Sequence, residues 1–481
     1  MNIENLTPQQ VWKNFHALTQ IPRPSKHEEQ VRAFMTRFGN GLGLDTLVDE
    51  VGNVIIRKPA TAGMAHRKGV VLQAHLDMVP QKNSDVVHDF EKDPIRPYID
   101  GEWVRAKGTT LGADNGVGVA VAMAILEADD LVHGPLEALF TIDEETGMTG
   151  AFGLKAGLLK GEILINLDSE DEGELYVGCA GGLDGSFSLT GRQEAVPTGC
   201  EAFRLAVTGL KGGHSGMDIN LGRGNANKLL MRFLQPLTAD CGARIASIEG
   251  GNLRNAIPRE AFALLCVPSA QVAAARQTVA TLAAAIAAEL SAVDGGLKVV
   301  LAPSETPAAV VDEATQRALI LAVYACPNGV VRMSDTMPGL VETSNNLAIV
   351  KLENGVAQVA CLLRSSVDSA KDDLAGAMRA VFTLAGASVA FTGGYPGWKP
   401  NPDSAILKTM KSVYQQLYGK IPDVKAIHAG LECGLLGGAY PHWDMISCGP
   451  TIRSPHSPDE RLKIDTVEKW WTFLVATLKV C

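Results

Sequence analysis

Short apolar runs alternating with amphipathic stretches organise the first part of the chain. Thr7-Pro8 has the cap-then-proline look of a helix start, and apolar positions recur at helical spacing to about Gln20. A second amphipathic helix is expected over residues 26–38, and TLVDEVGNVIIRK predicts a hairpin turning at Gly52-Asn53. Continuous apolar runs of strand length follow at residues 69–75, 136–142 and 162–167. The first of these is apolar enough to be buried on both faces. A helix is expected just after Asp114 and a short one after residue 142. Strands alternating with helices read as an α/β domain with a mainly parallel sheet and flanking helices.

Near Gly181-Gly182 the pattern changes. From there to about Gly394 it reads strand, helix, strands and an Ala-rich helix over residues 271–290. Further strands follow, then a helix over 370–384 and a strand over 388–391. The two similar halves suggest an internal duplication, although they share no sequence identity. After Tyr395-Pro396-Gly397 the first pattern returns, with a helix over 403–418 and a strand over 424–428. The expected organisation is one α/β domain, residues 1–185 and 395–481, interrupted by an α+β lid domain, residues 186–394.

Composition narrows the function. At 481 residues, 46% hydrophobic and 20% charged, the chain has material for two to three domains at roughly 150 residues each. Forty-three Lys and Arg against 53 Asp and Glu give a net charge of −10. No basic run offers a phosphate stripe, so nucleic acid is not an expected partner. The apolar runs are far short of the roughly 20 residues that span a bilayer, so no membrane is expected either. The nine cysteines are scattered without a CxxC pair. With an N-terminus unlike a signal peptide, they point to reduced thiols in the cytoplasm.

The chemistry gathers at strand ends. His75 and Asp77 close the run QAHLDMVP, where residues two apart share a side and the carboxylate can orient the imidazole. Asp114 lies in LGADNGVG just before a helix, which alone would make it a helix cap. These glycines do not form a dinucleotide loop, because Val121 stands where GxGxxG requires glycine. Asp143, Glu144 and Glu145 follow an apolar strand; in most proteins such a triplet is a solvated turn. A divalent cation would give like charges a reason to be packed there, one Glu binding it while its neighbour stays free as a base. Asp168 ends another strand, and His456 lies in the proline-bounded loop RSPHSPDE. Open α/β sheets bind ligands in the crevice beyond their strand ends. Two histidines and three carboxylates, one shared, suit a pair of ions such as Zn²⁺ there.

HLDMVPQKN, GADNGVG, DEETGMTGA, NLDSED, GGHSG, NAIP and RSPHSPDE occur in that order over nearly the whole chain. In this the sequence resembles the M20-type di-zinc metallopeptidases, the co-catalytic zinc peptidases of the aminoacylase/carboxypeptidase clan, and most of all their dipeptidase branch. The resemblance implies that one zinc takes His75 and Asp168 and the other Glu145 and His456, with Asp114 bridging. It makes Glu144 the general base and Asp77 the brace of His75. It assigns substrate contacts to His214 in KGGHSG, Asn255 in RNAIP, Arg364 in LLRSS and Gly430 in HAGLECG. His214 would stabilise an oxyanion and Arg364 would grip a terminal carboxylate. Many members carry a more acidic context around that arginine, where Ser365 and Ser366 follow here.

The implied protein is a cytoplasmic metallodipeptidase for substrates with a free C-terminal carboxylate, Xaa-His dipeptides included. It would carry two Zn²⁺ per subunit, with Co²⁺ or Mn²⁺ able to substitute, and pair as a homodimer through the lid. An N-acyl amino-acid amidohydrolase or a carboxypeptidase of the same clan would carry identical ligands; the long lid favours the dipeptidase. A non-catalytic binding protein is disfavoured by the intact ligand set.

Overall fold

Proline at position 8 caps the first helix and does not lie inside it. Pro8 has extended backbone, and the helix runs over Gln9–Thr19, burying Val11, Trp12, Phe15 and Leu18. The next helix, Glu29–Gly41, starts three residues later than its pattern suggests. Glu28 precedes it without a side-chain cap, and the freed segment 20–28 becomes an irregular loop that contributes to the site. The computed structural model describes residues 2–481. It divides into two compact units: Met1–Gly178, Pro400–Ala426 and Leu431–Cys481 form one, and Cys179–Lys399 with Ile427–Gly430 the other.

The first unit is built on an eight-stranded sheet. Its order is Asp45–Val48, Val54–Lys58, Leu136–Thr141, Val70–His75, Ile163–Asn166, Asp444–Ser447, Glu174–Cys179, Asp423–Ile427. At its centre, Val70–His75 pairs in parallel with both Leu136–Thr141 and Ile163–Asn166, and Asp444–Ser447 continues the parallel run. All six residues of Val70–His75 and all six of Leu136–Thr141 are buried. Each fully buried Val or Leu there contributes about 1.5–3 kcal/mol. Parallel strands deliver their carboxyl ends to one edge, which is where His75, Glu144, Glu145 and Asp168 emerge. A separate four-stranded sheet, Ile452–Arg453, Arg461–Lys463, Trp103–Ala106 and Pro97–Asp100, holds the hairpin loop 454–460 that carries His456.

The second unit is a nine-stranded antiparallel sheet, and its topology contains the same element order twice. Cys200–Thr208, helix Ala226–Ala239, Arg244–Gly250, Ala261–Pro268, helix Val272–Leu290 and Lys298–Pro303 form one β-α-β-β-α-β unit, with strand order 4-1-3-2. Gly181–Thr190, helix Glu313–Ala325, Val341–Glu353, Val356–Ser365, helix Asp368–Leu384 and Ser388–Tyr395 form the second, with the same order. The two copies are joined through their second strands, where Ile248 faces Leu352. They are nested and not in tandem: the first copy is inserted between the first strand and first helix of the second. One hydrophobic core, with Phe187, Phe203, Leu230, Phe233, Leu265 and Phe382 fully buried in it, runs under both. Among the described residues no helix is long and apolar enough to cross a membrane.

Candidate metal centre and an arginine cluster

In the first unit, His75 is the last residue of its strand and is 1% exposed. Asp77 lies beyond the strand end, not on it, yet its carboxylate still reaches the ring: His75 Nδ1 is 3.3 Å from Asp77 Oδ1. Oδ1 of Asp77 also accepts the Glu144 N–H (3.0 Å), while Oδ2 accepts the Glu145 N–H (3.2 Å) and the Ser25 hydroxyl (2.8 Å). One buried carboxylate therefore aligns the imidazole and the turn carrying the two glutamates. Burial would raise its pKa, but His75, Ser25 and the Glu144 amide hold it down at about 2.

With Nδ1 facing Asp77, Nε2 of His75 is aimed at Asp114 Oδ1 (3.1 Å) and Asp168 Oδ1 (3.4 Å). His456 Nε2 lies 3.1 Å from the other oxygen of Asp114 and 2.9 Å from Glu145 Oε2. Asp114 thus offers one oxygen to each cluster. It can do so because Asp114 and Asn115 leave the helical backbone inside Ala113–Glu127. Asn115 then turns its amide onto Asp168 Oδ1 (2.5 Å) and the Leu167 carbonyl (2.8 Å). Asp143, Met148, Ser454 and His456, all in the ligand loops, have non-glycine backbones in the left-handed region. Such strain persists where the surroundings over-determine it, commonly at functional sites.

Three groups of donor atoms here lie within 4.8 Å of one another: His75, Asp114 and Asp168; Asp114, Glu145 and His456; His75, Glu144 and Glu145. Donors sharing a tetrahedral ion at about 2.0–2.1 Å are roughly 3.3–3.4 Å apart, close to the separations above. Glu145 Oε1 is buried without a hydrogen-bond partner. Imidazole and carboxylate donors at these separations fit divalent ions. The electrostatics agree: burial pushes Glu144 upward and Asp168 up to about 7. Hydrogen bonds to Asp114 and Glu145 raise His456 to about 11. Asp114 stays below the usual carboxylate range, its burial overcome by His456 and His75. Carboxyl groups outnumber imidazoles here, and after burial their mutual proximity raises two of them.

The four remaining sequence candidates belong to the second unit. Gly213–His214 pairs with Ala256–Ile257, and the His214 N–H donates to Asp218 Oδ2 (2.8 Å). His214 Nδ1 accepts the N–H groups of Gly216 (3.2 Å) and Met217 (3.0 Å), so its proton resides on Nε2. Burial and the Arg364 charge lower its pKa, keeping the ring neutral. Asn255 is exposed; its carbonyl accepts the Ser215 N–H, while its side chain carries no hydrogen bond in the structure.

Arg364 sits on a central strand, opposite Ser344 and Gly182, and is only 6% exposed. It donates to the neutral hydroxyls of Ser215 (3.3 Å) and Tyr395 (3.5 Å) and makes no ion pair among the described residues. A buried guanidinium paired only with hydroxyls is a place for an anion. Gly430 abuts this cluster, where a Cβ would come within 2.9 Å of the Tyr395 hydroxyl.

Several residues around these sites were not singled out by sequence. Ser25 and Glu28 come from the loop RPSKHE; Glu28 Oε1 accepts the Asp143 N–H (3.1 Å). Glu432, buried beside Gln73 (2.6 Å) and Thr141 (2.8 Å), has its pKa raised by burial to about 7. His428, in the same HAGLECG motif as Gly430, bonds Ser344 Oγ through Nε2 (2.7 Å). Polar residues flanked by apolar ones, as in Gln73 within VVLQAH, are the signal that was available for these.

Comparison with known proteins places the whole chain among peptidases. The family model for peptidase family M20/M25/M40 matches residues 71–480. The chain is 49% identical over 477 residues to the cytosol non-specific dipeptidase of Escherichia coli, covering 99% of this chain and 98% of that one. The crystal structure of aminoacylhistidine dipeptidase from Vibrio alginolyticus superposes with a TM-score of 0.96 at 49% identity, over 100% of this chain and 98% of that one. An aminopeptidase from Bacillus cereus shares the fold, with a TM-score of 0.58 at 16% identity over 98% of both chains.

Proposed function

The chain belongs to peptidase family M20/M25/M40, and from that premise we propose that it is a cytoplasmic, metal-dependent dipeptidase that hydrolyses dipeptides with a free C-terminal carboxylate, Xaa-His among them. The observation that carries this reading is Asp114, which turns one carboxylate oxygen to His75 and the other to His456. His75 and Asp168 would hold one Zn²⁺, Glu145 and His456 the other, and Asp114 both; Co²⁺ or Mn²⁺ could replace zinc. Such a pair of ions supplies Lewis acidity, polarising the scissile carbonyl and lowering the pKa of an attacking water.

Glu144 is then the general base, taking the proton of the water and passing it to the leaving amine. Its burial-raised pKa suits a group that must both accept and return a proton. Asp77 acts through His75, fixing its tautomer. Nε2–H of His214 donates to the developing oxyanion. Arg364 takes the substrate carboxylate, an end that is charged only when the peptide terminates there. Asn255 and the Gly430 backbone complete the substrate contacts.

From the family resemblance we also infer a homodimer through the second unit, with His214 serving the partner's substrate. Mixing His214→Ala with Glu144→Ala protein under subunit exchange should then restore activity. The deciding experiment for the activity is hydrolysis of a panel of dipeptides, tripeptides, N-acyl amino acids and a dipeptide amide, with elemental analysis of the protein as purified. Turnover confined to free dipeptides, with two metal equivalents per chain, is expected. Preferential cleavage of N-acyl amino acids would replace the dipeptidase reading with an amidohydrolase.

A further inference from the structure

Two buried, oppositely charged side chains grip one loop from different sides. Arg23, in the segment between the first two helices, is 2% exposed. Its Nη1 donates to the carbonyls of Leu76 (2.9 Å) and Asp77 (3.0 Å), and its Nη2 to the carbonyl of Gly112 (2.6 Å). Glu460, also 2% exposed, accepts four consecutive backbone N–H groups. Oε2 takes those of Leu111 (2.7 Å) and Gly112 (3.0 Å); Oε1 takes those of Ala113 (2.7 Å) and Asp114 (3.2 Å). The Gly112 residue thus has its carbonyl on the cation and its N–H on the anion. Gly112 has a φ of +69°, and a Cβ there would lie 2.6 Å from Arg23 Nη2 and 2.8 Å from Met78 Sδ. Only glycine fits.

We propose that Arg23 and Glu460 are positioning residues for Asp114, an inference that rests on reading Asp114 as the ligand shared by two ions. An aspartate has a short side chain, so where its oxygens go is set chiefly by its backbone. Fixing four successive amides and the Gly112 carbonyl fixes that backbone to the tolerance a shared ligand needs. The pair also unites the ligand loops. Glu460 closes the hairpin loop that carries His456, and Arg23 holds the two residues that follow His75. Burying these charges costs several kcal/mol each unless hydrogen bonds offset it. Here the bonds go to the backbone that carries the ligands.

The test is titration of the metal-free protein with Co²⁺, followed by visible absorption and calorimetry. Wild type should take up two ions per chain; failure there would overturn the shared-ligand reading itself and leave the variants to be compared on whatever single site remains. Glu460→Gln turns an NH₂ group toward N–H donors and should weaken binding of both ions about 10–100-fold, the usual cost of losing a group that orients ligands. Its far-UV spectrum should stay that of wild type. Arg23→Lys keeps the charge but cannot span three carbonyls, and should act in the same direction; it decides the matter if Glu460→Gln does not fold.

Glu137→Gln is the control for general destabilisation. Glu137 is also buried and accepts two backbone N–H groups, from Lys160 (2.7 Å) and Gly161 (2.8 Å), near the start of its strand and away from the ligands. It should lower the unfolding temperature while leaving Co²⁺ affinity unchanged. Wild-type Co²⁺ affinity in both Glu460→Gln and Arg23→Lys would overturn the proposal. So would an equal loss in Glu137→Gln.

Discussion

The two units hold polar clusters of opposite character. In the first, five carboxyl groups, those of Asp77, Asp114, Glu144, Glu145 and Asp168, crowd around the imidazoles of His75 and His456 at the ends of parallel strands. In the second, Arg364 is the buried charge, surrounded by the hydroxyls of Ser215 and Tyr395 and by His214 and His428, both with lowered pKa values. The first arrangement offers donor atoms to cations; the second offers a buried guanidinium to an anion. The comparison therefore makes separable demands on substitutions: those in the first unit should change metal content or the chemical step, those in the second should change what is recognised.

The strongest way to break this division is at Asp114. Asp114→Ala should deplete both ions and abolish turnover, whereas His456→Ala should chiefly empty one site. Glu144→Ala should lower kcat by roughly 10²–10⁴-fold with metal content near wild type. The third donor group, in which Glu144 stands with His75 and Glu145, makes that last measurement informative. Loss of metal in Glu144→Ala would turn the base into a ligand. Wild-type metal content in Asp114→Ala would remove the shared carboxylate, and with it the basis for a two-ion site.

Much of this was legible in the chain because it is local. The run VVLQAH announces a buried strand, and His75 must then emerge at its end; the same holds for Asp168 after ILINL. Nesting was not legible, since nothing local distinguishes a strand whose partner helix follows at once from Gly181–Thr190, whose helix waits until Glu313. The Arg23 and Glu460 grip was also hidden. Both act on backbone N–H and C=O groups, which every sequence has, so only the fold shows which amides they meet. Arg364 could equally have been a charge on an exposed strand edge; its place on a central strand of the second unit is a property of the whole sheet.

In the second unit, the largest expected effect is at His214. Its Nδ1 is occupied by two backbone N–H groups, so Nε2–H is preset as a donor. If it acts only on the transition state, His214→Ala should lower kcat and kcat/KM together by about 10²–10³-fold, with KM little changed. A rise in KM at constant kcat would instead make His214 a ground-state binding residue like its neighbours.

Arg364→Met should show that other pattern. Removing hydrogen bonds to a charged carboxylate costs about 1.5–3 kcal/mol, or roughly 10–10²-fold in kcat/KM for free dipeptides. A dipeptide amide lacks the charge, so whatever residual hydrolysis it undergoes should be the same in wild type and variant. Equal losses on both substrates would mean that Arg364 supports the sheet and does not read the carboxylate.

The smallest effect expected is on stability, and it isolates the second unit from metal binding altogether. His428 is 6% exposed, and burial together with the Arg364 charge lowers its pKa to about 3 from an ordinary 6.5. Between those values the unfolded chain binds a proton that the folded chain refuses, so stability rises with pH across the window and is lost as pH falls from 6.5 toward 3. At about 1.4 kcal/mol per pH unit, acidification from pH 6.5 to 5 removes about 2 kcal/mol through this group. His428→Gln retains an amide for Ser344 but has no such proton to gain. Urea unfolding of metal-free protein at pH 6.5 and pH 5 should therefore show a larger drop in wild type than in His428→Gln, by about 2 kcal/mol in the transition assigned to the second unit. The Asp and Glu residues contribute to the drop in both proteins and cancel in the difference. Equal drops would mean that His428 is protonated in the folded state, and that the neutral surroundings inferred for Arg364 are instead a pair of like charges.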